Sequence, residues 1–299
     1  MAVKDIVSKY FNKHLFVFLP NLCNSGCEFC YVEPLNGKSA KLSRKLLSNF
    51  EVLITQAKEI GFETIRITGG EPLIFSNFLE IIKILKKNQL NYTLMTNGQN
   101  IHNYLTDFEE YLPAKVTVSF HSLKRYFEIF KNDIDLKKFF STIKSLREKK
   151  VEIATTTLYL EENHKELPNL IKFFEKKEID SLKIIYPNNN KQNSELIKRF
   201  VNSNFKSSTE LRITDFNQSN CLLKTRGFLS VILGDLSIYN CCTTVGKSEN
   251  KTEIDNGFDL GKLTIKQYEN NLKISQFPCK TNLNTCPIAL KKITKGNNA

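Results

Sequence analysis

"IRITGGEPL", residues 65–73, runs from a short β-rich stretch into a glycine pair, a carboxylate and a proline. Glycines 69 and 70 permit close backbone approach to a bound molecule, and Glu71 offers a carboxylate to a cationic group beside them. The stretch therefore reads as a strand ending in a loop made for a ligand. Outward from it, the same strand-then-helix arrangement recurs. "HLFVFLP" (14–20) precedes a helical pattern over 43–60, "ETIRIT" (63–68) one over 76–88, and "NYTLMT" (91–96) one over 100–112. "KVTVSF" (115–120) precedes 133–149, "VEIATTTLYL" (151–160) precedes 163–177, and "SLKIIYP" (181–187) precedes 190–204. "NHKE" (163–166) reads as a capping box, with Asn163 as cap and Glu166 three residues on.

Near-continuous apolar strands between helices imply an α/β fold with a parallel sheet covered on its faces. Six βα units are too few to close an eight-stranded barrel, so the expectation is an open partial (β/α)6 TIM-like barrel. The pattern stops near residue 205, and 205–299 reads as a small cysteine-rich C-terminal domain. That tail carries a hairpin signal: "FLSVIL", the turn Gly234-Asp235, then "LSIYNC".

With 299 residues, 41% of them hydrophobic, the chain can bury a full core, as one large domain plus a smaller one. "LFVFL" (15–19) is too short for a signal-peptide core or a membrane span, and the chain reads as cytoplasmic with no membrane partner. The net charge of +12 is spread as lysine patches over helix surfaces, a solvated face or a polyanion-binding one. Scarce arginine and absent tryptophan argue against a nucleic-acid partner. Eight cysteines in a reducing compartment point to metal or redox chemistry and away from disulfides.

In a parallel βα barrel the reactive groups gather on loops at the C-terminal ends of strands. Four polar features fall there: "NLCNSGCEFCYV" (21–32) after strand one, "TGGEPL" (68–73) after strand two, "TNG" (96–98) after strand three, and "SFHS" (119–122) ending strand four. Cys23, Cys27 and Cys30 can ligate one metal centre from three sides. A closed zinc site would recruit a fourth protein ligand, whereas an iron–sulfur cube can leave one iron open for an exogenous one. His121 stands at the end of strand four, either as a satisfied structural imidazole or as a site group.

The thiol triplet with an aromatic before its last member, followed by "GGEP" after the second strand, resembles the radical S-adenosylmethionine (SAM) superfamily over roughly 14–204. "IRITGGEPL", "TNG", "VTVSFHSL" and "NHKEL" are similar to their equivalents in the molybdenum-cofactor cyclase of that superfamily. The resemblance implies that Cys23, Cys27 and Cys30 hold a [4Fe–4S] cluster whose fourth iron takes the amino and carboxylate groups of SAM. It further implies that Phe29 lies against the adenine, that Gly70 and Glu71 receive the SAM amino group with Gly69 beside them in the SAM-binding loop, and that Ser119 contacts SAM near its ribose or carboxylate. Asn97 is a further SAM-binding candidate, although turn formation alone explains it. Arg66 matches the cyclase's substrate-contacting arginine or is a strand-edge surface residue. Ile153 stands where the cyclase has a substrate lysine, which argues against GTP as substrate.

"GDLSIYNCC" (234–242), "DLGKL" (259–263) and "PCKTNLNTCP" (278–287) are similar to a shortened SPASM or twitch domain. That likeness implies a second, auxiliary [4Fe–4S] cluster on Cys221, Cys241, Cys279 and Cys286; zinc or unliganded thiols are the alternatives. Adjacent residues of a strand point to opposite faces, so Cys241 and Cys242 do not serve one cluster. The surplus Cys242 is core filler or a hydrogen-atom donor.

The implied chemistry is reductive cleavage of SAM to a 5′-deoxyadenosyl radical that abstracts hydrogen from a substrate, with electrons from a donor such as flavodoxin or ferredoxin. The expected substrate is a ribosomally made peptide, epimerised or cross-linked. The alternatives are a sugar, aminocyclitol or other small metabolite, and a non-enzymatic metal-stabilised binding module, in which "GGEP" would have no role.

Overall fold

The computed structural model describes residues 1–19, 22–27, 30, 44–124, 135–158, 163, 165–186, 210–215, 230–232, 237–239, 251–253 and 258–274. In chain order its elements begin with helix α1 (Val3–Tyr10), strand β1 (His14–Phe18), α2 (Arg44–Glu59), β2 (Thr64–Thr68), α3 (Phe78–Lys87), β3 (Asn91–Thr96) and α4 (Leu105–Glu110). They continue with β4 (Lys115–Ser119), α5 (Leu136–Glu148), β5 (Glu152–Leu158), α6 (Leu167–Lys176), β6 (Ser181–Tyr186) and β7 (Glu210–Asp215). The last are β8 (Ser230–Ile232), β9 (Ser237–Tyr239), β10 (Lys251–Glu253) and α7 (Leu260–Ile274). All six expected parallel strands form, and five of the six expected helices follow them; the sixth, 190–204, lies outside the described residues.

Two compact units make up the chain, Met1–Cys23 with Tyr31–Leu94 and Cys221–Asn282, and Asn24–Cys30 with Met95–Asn220 and Leu283–Ala299. In the first, β1 pairs in parallel with β2, and β2 with β3, through the registers Phe16↔Arg66 and Arg66↔Thr93. Leu15, Val17, Ile65, Ile67, Tyr92 and Leu94 alternate with these half-buried positions and are fully buried, the pattern of strands whose one face is covered. The expected hairpin is present as antiparallel β8 and β9, its turn lying outside the described residues. It does not stand apart from the sheet: β8 pairs in parallel with β1, Val17 opposite Val231. Helix α7 belongs to the same unit. Gln56 of α2 donates to the Phe258 carbonyl and accepts from the Leu260 amide, and the Tyr268 ring lies 4.6 Å from that of Tyr10.

The second unit pairs β4, β5, β6 and β7, all in parallel. The parallel pattern thus runs on past residue 204. Val116, Val118, Ile153, Leu182 and Ile184 form the covered face. Phe120, fully buried, meets Phe139 of α5 at 5.9 Å and Phe174 of α6 at 5.5 Å between ring centroids. The buried residues of α6, Leu167, Leu170, Ile171 and Phe174, recur at i, i+3, i+4 and i+7, one apolar stripe.

One sequence expectation fails at α6. Asn163 and Glu166 do not form a capping box: the helix starts at Leu167 with Glu166 itself at the cap position. Asn163 is fully buried, and its side-chain amide donates to the carbonyls of His121 (2.6 Å) and Leu158 (2.7 Å), while the Glu166 carboxylate accepts from the Ser122 hydroxyl and from the amides of Leu123 and Lys124 (2.9 Å each). Both side chains satisfy the loop after β4, whose exposed amides are the stronger demand once β4 and β5 are paired. No helix among the described residues is long and apolar enough to cross a membrane.

Candidate active site

In the first unit the glycine loop is fitted to the end of β1. The Leu19 amide donates to the Thr68 carbonyl at 2.8 Å, and Gly69 then turns with φ +137° so closely past Leu19 that a Cβ there would lie 2.4 Å from its carbonyl oxygen. Only glycine fits. Two residues on, the Glu71 amide donates to the carbonyl of Leu22 at 2.7 Å, tying this loop to the residue before Cys23. The Glu71 side chain is 2% exposed, and Oε1 accepts from the Leu73 amide at 3.0 Å, capping a single 3-10 turn, Pro72–Ile74. It is therefore a buried, hydrogen-bonded carboxylate and not a solvated one.

In the second unit the cysteine loop is tied to the turn after β3. The Asn97 amide group donates to Asn24 Oδ1 (2.8 Å) and to Ser25 Oγ (3.0 Å), and its oxygen accepts from the Gln99 backbone at 3.0 Å. Gln99 completes the ring, accepting from Asn24 Nδ2 (2.8 Å) and donating to Ser25 Oγ (3.1 Å). Asn97 and Gln99 are 7% and 9% exposed. Further along the loop the Cys30 amide donates to the Cys27 carbonyl (3.1 Å), so these two thiols ride on one tight turn.

At the end of β4, Ser119 is half-buried and in register with Thr156, on the face opposite the covered apolar one. His121 is buried, and its Nδ1 accepts from the Leu158 amide at 3.1 Å. Burial lowers its pKa from the usual range to about 3, so the imidazole is neutral and structural, as one of the two sequence readings held. Arg66 lies over the Phe16 ring, 5.2 Å from its centroid. Ile153 is fully buried on the covered face.

Phe29 lies outside the described residues, as do Cys221, Cys241, Cys242, Cys279 and Cys286. Sequence reasoning missed Asn24, Ser25 and Gln99, whose partners are more than seventy residues away in the chain. The only local trace was polarity: two hydrogen-bonding side chains between Cys23 and Cys27, and a third beside "TNG".

Among the described residues no three His, Cys, Asp or Glu side chains converge on a single-ion site. Cys23, Cys27 and Cys30 are half-buried and form no disulfide. Three thiols on one anchored loop match the donor set of a cubane, which takes one thiolate per iron and keeps one iron for another ligand. Such a cluster would be held by these three residues.

Comparison with known proteins agrees with this geometry. The family model described as the Radical SAM superfamily matches residues 17–174. A GTP 3′,8-cyclase of Aquifex aeolicus is 28% identical over 169 residues, 54% of this chain and 52% of its own length. A probable GTP 3′,8-cyclase of Sulfurisphaera tokodaii is 30% identical over 178 residues, 57% of this chain and 55% of its own. The chain thus spans about half the length of these curated relatives. Among solved structures, Streptococcus suis SuiB bound to precursor peptide SuiA superposes with a TM-score of 0.66 at 16% identity, over 92% of this chain and 70% of that one. Native anSMEcpe with bound AdoMet superposes with a TM-score of 0.65 at 17% identity, over 92% and 88%. The fold is the α/β open partial (β/α)6 TIM-like barrel of those enzymes. A family match over more than half of the chain, on the strands and loops that carry the three thiols and "GGEP", establishes that the chain belongs to the radical SAM superfamily of iron–sulfur, SAM-dependent enzymes.

Proposed function

We propose that the protein modifies a ribosomally made peptide, epimerising or cross-linking it at an α-carbon or side chain after hydrogen abstraction. The observation that carries this reading is the extent of the fold likeness. Peptide-bound SuiB and anSMEcpe superpose over 92% of the chain, well past the family match at residue 174.

When bound, the [4Fe–4S] cluster supplies the electron for reductive cleavage of SAM. In this reading Cys23, Cys27 and Cys30 hold it, and Gly70 and Glu71 receive the SAM amino group, with Gly69 allowing the close approach. Ser119 contacts SAM from the end of β4, and Phe29 lies against the adenine. Residues 1–204 carry the SAM core, and 205–299, which also adds β7 and β8 to the strand pairing, carries the auxiliary cluster with Cys221, Cys241, Cys279 and Cys286 as ligands. Cys242, the thiol left over, returns a hydrogen atom to the substrate radical. A flavodoxin or ferredoxin supplies electrons.

The test is anaerobic incubation of the reconstituted protein, with SAM and reductant in deuterated water, with short peptides encoded beside its gene. Epimerisation adds one solvent deuterium at an inverted α-carbon and cross-linking removes two hydrogens, both read by mass spectrometry. Unchanged peptides, with SAM cleaved only when a sugar or other small metabolite is present, would overturn the peptide reading.

A further inference from the structure

We propose that Asn97 and Gln99 are positioning residues that pre-shape the cysteine loop for its cluster, acting through Asn24 and Ser25 and not by touching SAM. This rests on the loop geometry and is independent of the peptide reading. The four side chains form a closed ring of four hydrogen bonds. Both Asn97 N–H groups are committed, to Asn24 Oδ1 and Ser25 Oγ, at 2.8 and 3.0 Å. Gln99 takes the Asn24 amide at 2.8 Å and gives its own to Ser25 Oγ at 3.1 Å. Ser25 Oγ thus accepts two hydrogen bonds, the full capacity of a hydroxyl oxygen.

The anchor is itself rigid. Asn97 Oδ1 accepts from the Gln99 amide and Thr96 Oγ1 from the Gly98 amide, both at 3.0 Å, which closes the turn on itself. Gly98 sits at φ +81°, where a Cβ would lie 2.5 Å from the Phe139 ring, so α5 backs the turn from behind. Asn24 and Ser25, the two residues following Cys23, are thereby fixed by buried partners on a strand end, while Cys27 and Cys30 follow on the same stretch. Three thiolates must meet one cube at set angles, and a loop already held in shape loses less conformational freedom on capturing it. Outer partners that orient ligands in this way change metal affinity by about 10–100-fold when removed.

The turn and the anchor can be separated by one atom. Asn97→Asp keeps the oxygen that the Gln99 amide needs and deletes both donors to the loop. The measurement is the rate at which a chelator strips iron from reconstituted protein, followed through the fraction of the reduced-cluster electron paramagnetic resonance signal that shifts on adding SAM, a property of the open-iron cluster alone. Asn97→Asp and Gln99→Ala are expected to lose that signal about tenfold faster than wild type, with the metal-free proteins melting at the wild-type temperature. Loss at the wild-type rate from Asn97→Asp overturns the proposal and leaves Asn97 as a turn former. Should Asn97→Asp not fold, Ser25→Ala decides, since it leaves residues 96–99 intact: the same acceleration supports the proposal and a wild-type rate refutes it.

Discussion

Glu71 works through three sets of atoms. Its amide holds Leu22, its Oε1 caps the turn at Leu73, and its charge is what a cationic amino group would meet. Glu71→Gln keeps the first two and removes the third. That variant is expected to retain wild-type iron and stability while binding SAM about tenfold or more weakly, as a charge-assisted contact becomes neutral; titration calorimetry with unaltered affinity would remove the carboxylate from the ligand site. His121 gives a pH signature instead. Its folded pKa is depressed to about 3, so below the ordinary histidine value near 6.5 the unfolded chain takes up a proton that the folded chain refuses. Stability is therefore fully present above that value and falls as pH drops toward 3, by up to about 1.4 kcal/mol per pH unit. Denaturant unfolding of His121→Gln should lose that part of the slope. Neither group's burial was legible in the sequence, because it depends on partners brought in by β1 and β5. Asn97 shows the limit more sharply, its local turn being readable and its two partners on the cysteine loop not.

The helices end in a repeated way that places the strands after them. Phe62, Leu90, Val151 and Ile179 each donate their amide to a carbonyl five residues back, those of Ala57, Leu85, Leu146 and Phe174, and each is buried. The residue before each lies in the left-handed region: Gly61 (φ 98°), Gln89 (φ 53°), Lys150 (φ 64°) and Glu178 (φ 54°). This is the Schellman ending, with the apolar residue after it already starting the next layer. Only the first uses glycine, so the sequence marked one of four stops, and these four helix ends were read one residue too long. The other three sites carry left-handed strain that glycine would relieve. Lys150→Gly is expected to stabilise the protein by about 0.5–1 kcal/mol in urea unfolding, net of glycine's greater unfolded-state entropy; a destabilised variant would contradict that account of the ending.

At the scale of the whole molecule, the six strands and the five described helices that follow them were legible because each parallel strand reads as an apolar run stopped by a polar loop. β7 was not, since "ELRITD" alternates with charges and follows a break in the pattern, and the pairing of β8 with β1 has no local signature at all. The four cysteines proposed as tail ligands lie outside the described residues, and iron stoichiometry tests that proposal directly. Roughly eight irons per chain are expected after anaerobic reconstitution, and about four once Cys23, Cys27 and Cys30 are replaced by Ala. Zinc in place of iron in that triple variant would rule out an auxiliary cluster. The central claim, that the thiol loop carries a SAM-cleaving cluster, is tested most directly by 5′-deoxyadenosine formation from SAM under a strong reductant, wild type beside Cys27→Ala. The account predicts the nucleoside from the reconstituted wild type and none above background from the variant; equal yields from both, or none from an iron-replete wild type, would contradict it.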